Sequence, residues 1–403
     1  MKSLLGNKVF LTLTTVDFFE TLGTSLFNII LLTYARSFTQ ASLLVSIVSV
    51  ATVLPGVFGF LTGRLADRQR NKRLWLLNLK FIQAGLYLLL AQLITVKQVS
   101  FLLVIIGINL GSDIMGILSS SLRMPLIQAK VATTVQEQAV GINQGVSVLM
   151  QMVGQTVGVS LLALTGNYQL AGYVNAITFL IAGVVLLVGY PSLKLTIGRQ
   201  PAMTTRQLWR KLKLALEQGA QMNVLALLTS ILLLNAVGAS VDAILNLYLI
   251  DRGSTLPIPF SVAVLVMNTM FVIGSVAGNL LHTGWFQKWS FRAVILVTVL
   301  VYELMYINLL SWQNYWLVVL IMLIGGFCMG QANPKLMASL LKVADEQIVG
   351  SLSGVLNTLA TLSIPIGSIG LVLIDNVVSA QAAYVVSMMI LAACAGCLWI
   401  KHK

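Results

Sequence analysis

Long apolar stretches alternate with short polar segments along the whole chain. A helix that crosses a bilayer needs roughly 20 consecutive apolar residues, and twelve segments reach that length. We number them spans 1 to 12 in chain order. They are predicted at about 9–35, 42–62, 74–95, 100–122, 139–165, 170–190, 222–250, 260–282, 293–311, 316–334, 348–374 and 381–400. The pattern predicts an all-α membrane protein.

The two halves of the chain repeat each other. A shift of about 215 residues pairs Gly23 with Gly238, Gly59 with Gly274 and Gly63 with Gly278, and a shift of about 209 pairs Pro125 with Pro334, Glu137 with Glu346 and Gly141 with Gly350. A fixed period of this kind marks a repeated structural unit. The twelve spans are therefore expected to form two pseudo-symmetric halves of six helices.

Composition supports the membrane interpretation. The 403 residues are 58% hydrophobic and 9% charged, whereas soluble domains carry about 25% charged residues. The net charge of +13 does not indicate a nucleic-acid partner, because the cations cluster in short segments between spans. Lipid is therefore the expected solvent of most of the surface.

The distribution of Lys and Arg predicts the orientation. Segments rich in these residues stay in the cytoplasm. If both termini are cytoplasmic, 21 of the 25 cations lie on the inner side; Lys80 falls within a span, and only three lie outside, Arg36, Lys97 and Arg252. Lys2 and Lys8 precede span 1, which reads as an uncleaved helix because Asp17 and Glu20 interrupt the apolar run.

This pattern predicts three parts: a six-helix bundle at 1–190, a cytoplasmic linker at 191–221 and a second bundle at 222–403. The linker contains an amphipathic pattern that predicts a helix at the inner lipid surface, although it could equally be a mere tether. Its charged face holds Arg206, Arg210, Lys213 and Glu217, and its apolar face Leu208, Trp209, Leu212 and Leu216.

The segment from Gly63 to Arg73 reads GRLADRQRNKR and contains five cations and one Asp between spans 2 and 3. It resembles the corresponding loop of the major facilitator superfamily, most closely the macrolide-exporter-like branch of the drug:proton antiporters. The resemblance implies a cytoplasmic gate in which Asp67 caps span 11, expected to begin near Gly350. Its motif residues are Gly63, Arg64, Asp67, Arg68, Lys72 and Arg73, with Arg64 and Arg68 as partners of the acid. Alternatively, the cations only orient the protein.

Four acids fall within spans that line the central cavity in this superfamily: Asp17, Glu20, Asp113 and Asp242. A charge at the bilayer centre costs roughly 2.5–3.5 kcal/mol, so each requires a reason. No Lys or Arg is expected inside spans 1, 4, 7 or 10 to neutralise them, and neighbouring carboxylates share protons. We expect proton coupling, with Asp17 and Glu20 as leading candidates; structural hydrogen bonding is the alternative. Glu303 of span 9 is expected to be peripheral.

Other features limit the resemblance and exclude some functions. Many antiporters of this branch carry an Arg in span 4, which has none before Arg123, and span 5 has Gly154 and Gly158 without the usual Pro. Those two glycines are expected to pack against span 8.

No GxxxxGK(S/T) phosphate loop occurs, so ATP is not the expected energy source. We expect no catalytic residues, cofactor or metal site: Cys394 and Cys397 suit packing, and His282 and His402 form no metal set.

The resemblance and the acids together predict a bacterial inner-membrane carrier that is monomeric and exports amphipathic compounds, including antibiotics, in exchange for protons. Its partners would be a small amphipathic molecule, protons and the bilayer. A lipid flippase or nutrient porter of the same fold is the alternative within transport. A receptor or scaffold that moves nothing is the alternative from another class.

Overall fold

The computed structural model describes residues 2–195, 204–252, 256–281 and 286–398, and within these ranges it contains helices and no β-strand. Twelve helices among the described residues are long and apolar enough to cross a membrane. This confirms the predicted all-α, twelve-span architecture. Spans 1 to 12 are Lys8–Arg36, Leu43–Arg68, Lys72–Leu93, Val99–Lys130, Thr133–Thr165, Tyr168–Gly189, Val224–Arg252, Val262–Leu280, Phe291–Leu310, Tyr315–Val343, Val349–Val377 and Ala380–Leu398.

Several helices start where a side chain caps the backbone. Asn7, Asn71, Asn167 and Asn314 each accept a hydrogen bond from the N–H three residues later, at 3.0 to 3.3 Å. Such a side chain satisfies one of the N–H groups that a helix leaves without an internal partner. Span 5 ends at Gly166, whose φ of +62° favours a residue without a side chain.

Four spans are at least five residues longer than hydropathy predicted. Spans 4 and 10 continue through Pro125 and Pro334 and end at Lys130 and Val343, and span 5 begins at Thr133. In span 2 a 3₁₀ segment, Leu54–Phe58, leads into the α-helix Gly59–Arg68. Most of the predicted motif loop is therefore helical, and only the residues 69–71 connect spans 2 and 3.

A helix that spans no membrane, Thr205–Ala220, precedes span 7; the predicted linker residues 196–203 lie outside the described residues. Leu208, Leu212 and Leu216 are buried, Trp209 is exposed, and Glu217 of the predicted charged face is buried. Part of this helix packs on protein, because a side chain at Gly219 would collide with Leu340 of span 10. Its place at a lipid surface stays a prediction.

The chain divides into two compact units. The first contains Met1–Ala139, Val146–Thr205 and Asp345–Thr358. It therefore holds nearly all of spans 1–6 together with the start of span 11. The second contains Val140–Gly145, Arg206–Ala344 and Leu359–Lys403.

Aromatic packing forms the core of the first unit. The rings of Tyr87 and Phe179 stack with centroids 5.3 Å apart, and Phe27 meets Tyr87 edge-on at 5.1 Å. These rings join spans 1, 3 and 6, and Leu102 and Ile105 of span 4 belong to the same buried cluster. This core fixes the spans that carry the polar groups described below.

Small residues bring neighbouring helices close together in both units. In the second unit, a side chain at Gly274 or Gly278 of span 8 would overlap carbonyl groups of span 10. In the first unit, Gly154 and Gly158 of span 5 pack against backbone carbonyls of span 1. The expectation that they face span 8 was therefore wrong; the span 5 glycine that contacts span 8 is Gly145, beside Asn279.

Candidate functional site

Two acids and two cations meet inside the first unit, and we call Asp17, Glu20, Lys80 and Arg123 the charge cluster. Lys80 Nζ lies 2.6 Å from Glu20 Oε1. Arg123 bridges both acids, with Nη2 2.6 Å from Asp17 Oδ1 and Nη1 2.9 Å from Glu20 Oε2. Spans 1, 3 and 4 are thus joined through charges of opposite sign that sum to zero.

Polar neighbours complete the charge cluster. Ser119 Oγ donates to Glu20 Oε2 at 3.2 Å, and Ser147 Oγ of span 5 donates to Asp17 Oδ2 at 2.5 Å. Lys80 also donates to Gln83 Oε1 at 2.8 Å, and its ammonium lies 5.4 Å from the centre of the Phe179 ring. Lys80 is 0% exposed and Glu20 6%, so water does little to screen these charges.

The prediction that no cation neutralises the acids of span 1 was wrong. Arg123 was placed at the cytoplasmic end of span 4, but the helix continues for two more turns beyond it, and this leaves Arg123 buried. Lys80 is contributed by span 3. A signal was present in the sequence, since Lys80 was the one cation predicted inside a span, and a buried cation requires an acidic partner.

Asp113 lies on span 4 in a different environment. Its Oδ2 accepts a hydrogen bond from Asn109 Nδ2 at 3.0 Å, and the same amide reaches Asn28 Oδ1 at 3.1 Å. Tyr87 donates to Asn109 Oδ1 at 2.9 Å. Asp113 Oδ1 is buried without a hydrogen-bond partner, and no described Lys or Arg forms an ion pair with this carboxylate. Asp113 is thus an embedded acid that no fixed cation neutralises.

The other embedded acids belong to the second unit. Asp242 of span 7 is exposed, and Glu303 of span 9 is partly exposed.

No described His, Cys, Asp and Glu side chains form a group of three that could hold a metal ion; His282 and His402 lie outside the described residues. Cys394 is buried and its thiol lies 3.5 Å from the Ser230 carbonyl, and it is not bonded to Cys397.

Asp67 caps the first turn of span 11. Its Oδ1 accepts from the Gly350 N–H and its Oδ2 from the Ser351 N–H, each at 2.7 Å. Span 11 begins at Val349, close to the predicted start. A carboxylate at this position meets unpaired N–H groups and the positive end of the helix dipole. The contact therefore links span 2 to span 11 through a charged hydrogen bond at each carboxylate oxygen.

The cations around Asp67 are arranged differently from the prediction. Arg64 Nη2 donates to Thr205 Oγ1 at 3.2 Å, Arg68 is exposed, and neither forms an ion pair with Asp67. The cation whose charge acts on Asp67 is Lys72, which is buried and donates to the Ala66 carbonyl at 2.6 Å. Lys72 lies near Asp67 because it begins span 3, which folds back beside the end of span 2.

Glycines make the approach of spans 2 and 11 possible. A side chain at Gly63 would overlap the Gly350 carbonyl, and one at Gly354 would overlap the Gly59 carbonyl. A side chain at Gly350 would also collide with Asp67. The two helices therefore cross backbone against backbone. The Phe60 N–H donates to Thr358 Oγ1 at 3.0 Å along the same crossing.

The comparisons with known proteins agree with this architecture. A family model described as the Major Facilitator Superfamily matches residues 13–368. The chain belongs to the major facilitator superfamily. No curated protein matches its sequence.

Solved structures of transporters are similar to this major facilitator chain. The human organic anion transporter MFSD10 (TETRAN) has 14% identity and a TM-score of 0.72, with 97% of this chain and 99% of that chain covered. A bacterial homologue of the iron transporter ferroportin in its outward-facing state has 13% identity and a TM-score of 0.73, with 97% and 98% covered. At such identities the likeness shows the fold alone. The superfamily supports a transporter of small molecules in a multi-pass membrane protein.

Proposed function

We propose that this major facilitator protein is a proton-coupled exporter of amphipathic compounds, including drugs, and works by alternating access. The observation that carries the proposal is Asp113, an embedded carboxylate without a cationic partner. Such a group can bind a proton on one side of the membrane and release it on the other. The same negative charge attracts a cationic drug, so that proton and drug compete for one site.

The structure changes the order of the coupling candidates. Asp17 and Glu20 each have a fixed cation at 2.6 Å. Protonation of Glu20 would leave buried Lys80 without an anionic partner, and protonation of Asp17 would leave two buried cations facing one acid. Leaving one buried charge without its partner costs several kcal/mol. We therefore place Asp113 first, with Asp242 as the second candidate, and assign Asp17 and Glu20 to holding spans 1, 3 and 4 together.

We further propose that the Asp67 cap is the gate. Capping holds the start of span 11 against the end of span 2, and release of Gly350 and Ser351 would let the two helices separate. The remaining motif residues support this contact: Gly63 permits the approach, Lys72 provides the neighbouring positive charge, and Arg64 and Arg73 are held by Thr205 and Tyr190. Arg68 is exposed and contributes to orientation.

The proposed setting is the inner membrane of a bacterium, with both termini in the cytoplasm and the protein as a monomer. Twenty-one of the 25 Lys and Arg residues then lie on the cytoplasmic side, in accordance with the positive-inside rule. We retain the functional division into bundles at 1–190 and 222–403, joined by a linker at 191–221. The structural neighbours are an organic anion transporter and a homologue of an iron transporter, which makes anion or metal-ion transport the competing proposals.

Proteoliposomes provide the test. Their interior is made acidic, the membrane potential is clamped with valinomycin and K⁺, and uptake of radiolabelled tetraphenylphosphonium is measured, because its charge does not change with pH. We expect accumulation by the wild type. The variant Asp113→Asn should lose it while keeping exchange down a concentration gradient, since the amide mimics a protonated carboxylate that cannot release its proton.

Glu303→Gln is the matched control, because it removes a partly exposed acid from span 9. Accumulation by Asp113→Asn at the level of this control would exclude Asp113 as the coupling residue. A fluorescent phospholipid, an organic anion and ferrous iron in the same vesicles separate the flippase, anion and metal alternatives. Binding without flux of any of these compounds would favour a receptor.

A further inference from the structure

A small cavity opens beside the motif in the first unit, and we call it the basic cavity. Its volume is about 170 Å³. Four of its seven lining residues are cations and none is acidic; they are Arg70, Asn71, Lys72, Arg73, Leu193, Lys194 and Leu195. A water molecule occupies about 30 Å³ in the liquid, so the space suits one compact anion with part of its hydration shell.

The four cations differ in how much of their charge is already neutralised. Lys72 donates to the Ala66 carbonyl and is acted on by the charges of Asp67 and Glu346. Arg73 stacks over the Tyr190 ring at 4.2 Å and donates to the Tyr190 carbonyl at 3.3 Å. Arg70 and Lys194 are exposed and form no ion pair with a described acid. The cavity therefore keeps a surplus of positive charge.

The backbone adds to this surplus. Span 3 begins at Lys72, and the Asn71 side chain caps only the Leu74 N–H, at 3.3 Å. The first N–H groups of a helix have no partner inside the helix, and they lie at the positive end of the helix dipole. The start of span 3 and the side chains of Arg70, Arg73 and Lys194 together favour a bound anion.

Apolar residues next to the basic cavity indicate the source of the anion. Leu74 and Trp75, in the first turn of span 3, are 40% and 37% exposed. A phospholipid with its phosphate in the cavity could lay its acyl chains along these side chains. Aromatic residues such as Trp75 and Tyr190 are also typical of the depth at which headgroups lie.

We propose that the basic cavity binds a phosphate group and that this group belongs to the headgroup of an anionic phospholipid. Under the proposed orientation the lipid is in the inner leaflet, where basic pockets between spans bind such headgroups. Arg73 and the start of span 3 hold the phosphate, and Arg70 and Lys194 neutralise it. The inference concerns a lipid that stays bound and does not depend on the transported compound.

Native mass spectrometry of the purified full chain tests the proposal. Phosphatidylglycerol, phosphatidylcholine and glycerol 3-phosphate are titrated onto the wild type and onto Arg70→Gln/Lys194→Gln. Each cation near a headgroup contributes roughly 1 kcal/mol, so the double variant should bind phosphatidylglycerol about thirtyfold more weakly. Phosphatidylcholine should bind weakly to both proteins. The control is Arg36→Gln/Lys97→Gln, which removes two exposed cations predicted on the outer side and should bind like the wild type.

Three results would overturn the proposal. Equal affinity of phosphatidylglycerol for the wild type and Arg70→Gln/Lys194→Gln would show that the basic cavity binds no headgroup. An equal loss in the control variant would show attraction by net charge alone. Glycerol 3-phosphate binding that is lost in the double variant, without phosphatidylglycerol binding, would assign the cavity to a soluble phosphate and overturn the lipid source. The transport assay above is independent of all three results.

Discussion

Replacing Glu20 by Gln should destabilise the protein strongly, because Glu20 is the centre of the charge cluster. Its two oxygens lie 2.6 Å from Lys80 and 2.9 Å from Arg123. Gln keeps the size of the side chain but removes the charge. Arg123 would keep Asp17, whereas Lys80 would keep only neutral neighbours, such as the Gln83 oxygen, in a position that is 0% exposed.

The size of the effect follows from the burial of Lys80. Removing one partner of a buried ion pair costs about 3–5 kcal/mol, because the other charge is left uncompensated. This corresponds to a change of roughly a hundredfold to a few thousandfold in the folding equilibrium. At about 2–4 °C per kcal/mol for a unit of some 200 residues, the melting temperature should fall by roughly 6–20 °C.

The assay is thermal unfolding of the purified protein in detergent, followed by tryptophan fluorescence. Glu20→Gln should melt well below the wild type, and Glu20→Gln/Lys80→Met should recover much of the loss, because the second change removes the stranded charge. Glu303→Gln controls for the loss of an acid outside the cluster. The reasoning is refuted if Glu20→Gln melts like Glu303→Gln, or if adding Lys80→Met brings no recovery.

Three further predictions concern the gate and the orientation. Asp67→Asn should reduce transport about twofold to thirtyfold with little loss of expression, because the amide weakens the contact with the helix dipole, worth about 0.3–2 kcal/mol. An equal loss of folded protein would instead mark a structural role. Gly350→Ala should impair transport similarly, since the methyl group collides with Asp67 Oδ1. The double variant Asp67→Asn/Gly350→Ala should lose little more than either single variant, and additive losses in the same flux assay would contradict a shared contact. In a variant without native cysteines, an impermeant maleimide added to intact cells should label Arg36→Cys and spare Arg70→Cys, and the reverse labelling would overturn the proposed orientation.

The fold could be predicted from the sequence because each membrane helix is recognisable from its own segment of the chain. Each span needs only its own run of apolar residues. Hydropathy missed end segments of spans 2, 4, 5 and 10, where polar or charged residues interrupt the apolar run. The capping of span 11 was predicted through the family resemblance of residues 63–73, which fixes Asp67 near Gly350 without any knowledge of packing. The prediction of Arg64 and Arg68 as the cations beside Asp67 was wrong, since these residues and Lys72 are equally charged and only the path of the chain decides among them.

The charge cluster was beyond local reasoning for a physical reason. Arg123 and Glu20 are 103 positions apart in sequence, and no periodicity relates span 3 to span 1. Their proximity depends on the packing of Tyr87, Phe179 and Phe27, which sets the distance and rotation of the helices. The sequence could not distinguish Asp113 from the other acids, because its distinguishing feature is the lack of a neighbouring cation in the folded protein.

The charge cluster also has a consequence for biosynthesis. A nascent chain exposes Asp17 and Glu20 to the translocation machinery before it has made Lys80, and Arg123 emerges last of the four. Span 1 alone would carry two acids into lipid, each at a cost of roughly 2.5–3.5 kcal/mol. Stable insertion of the first helix therefore has to wait for the fourth. A chain terminated after span 3 should form an insertion intermediate, and cellular proteases should remove it.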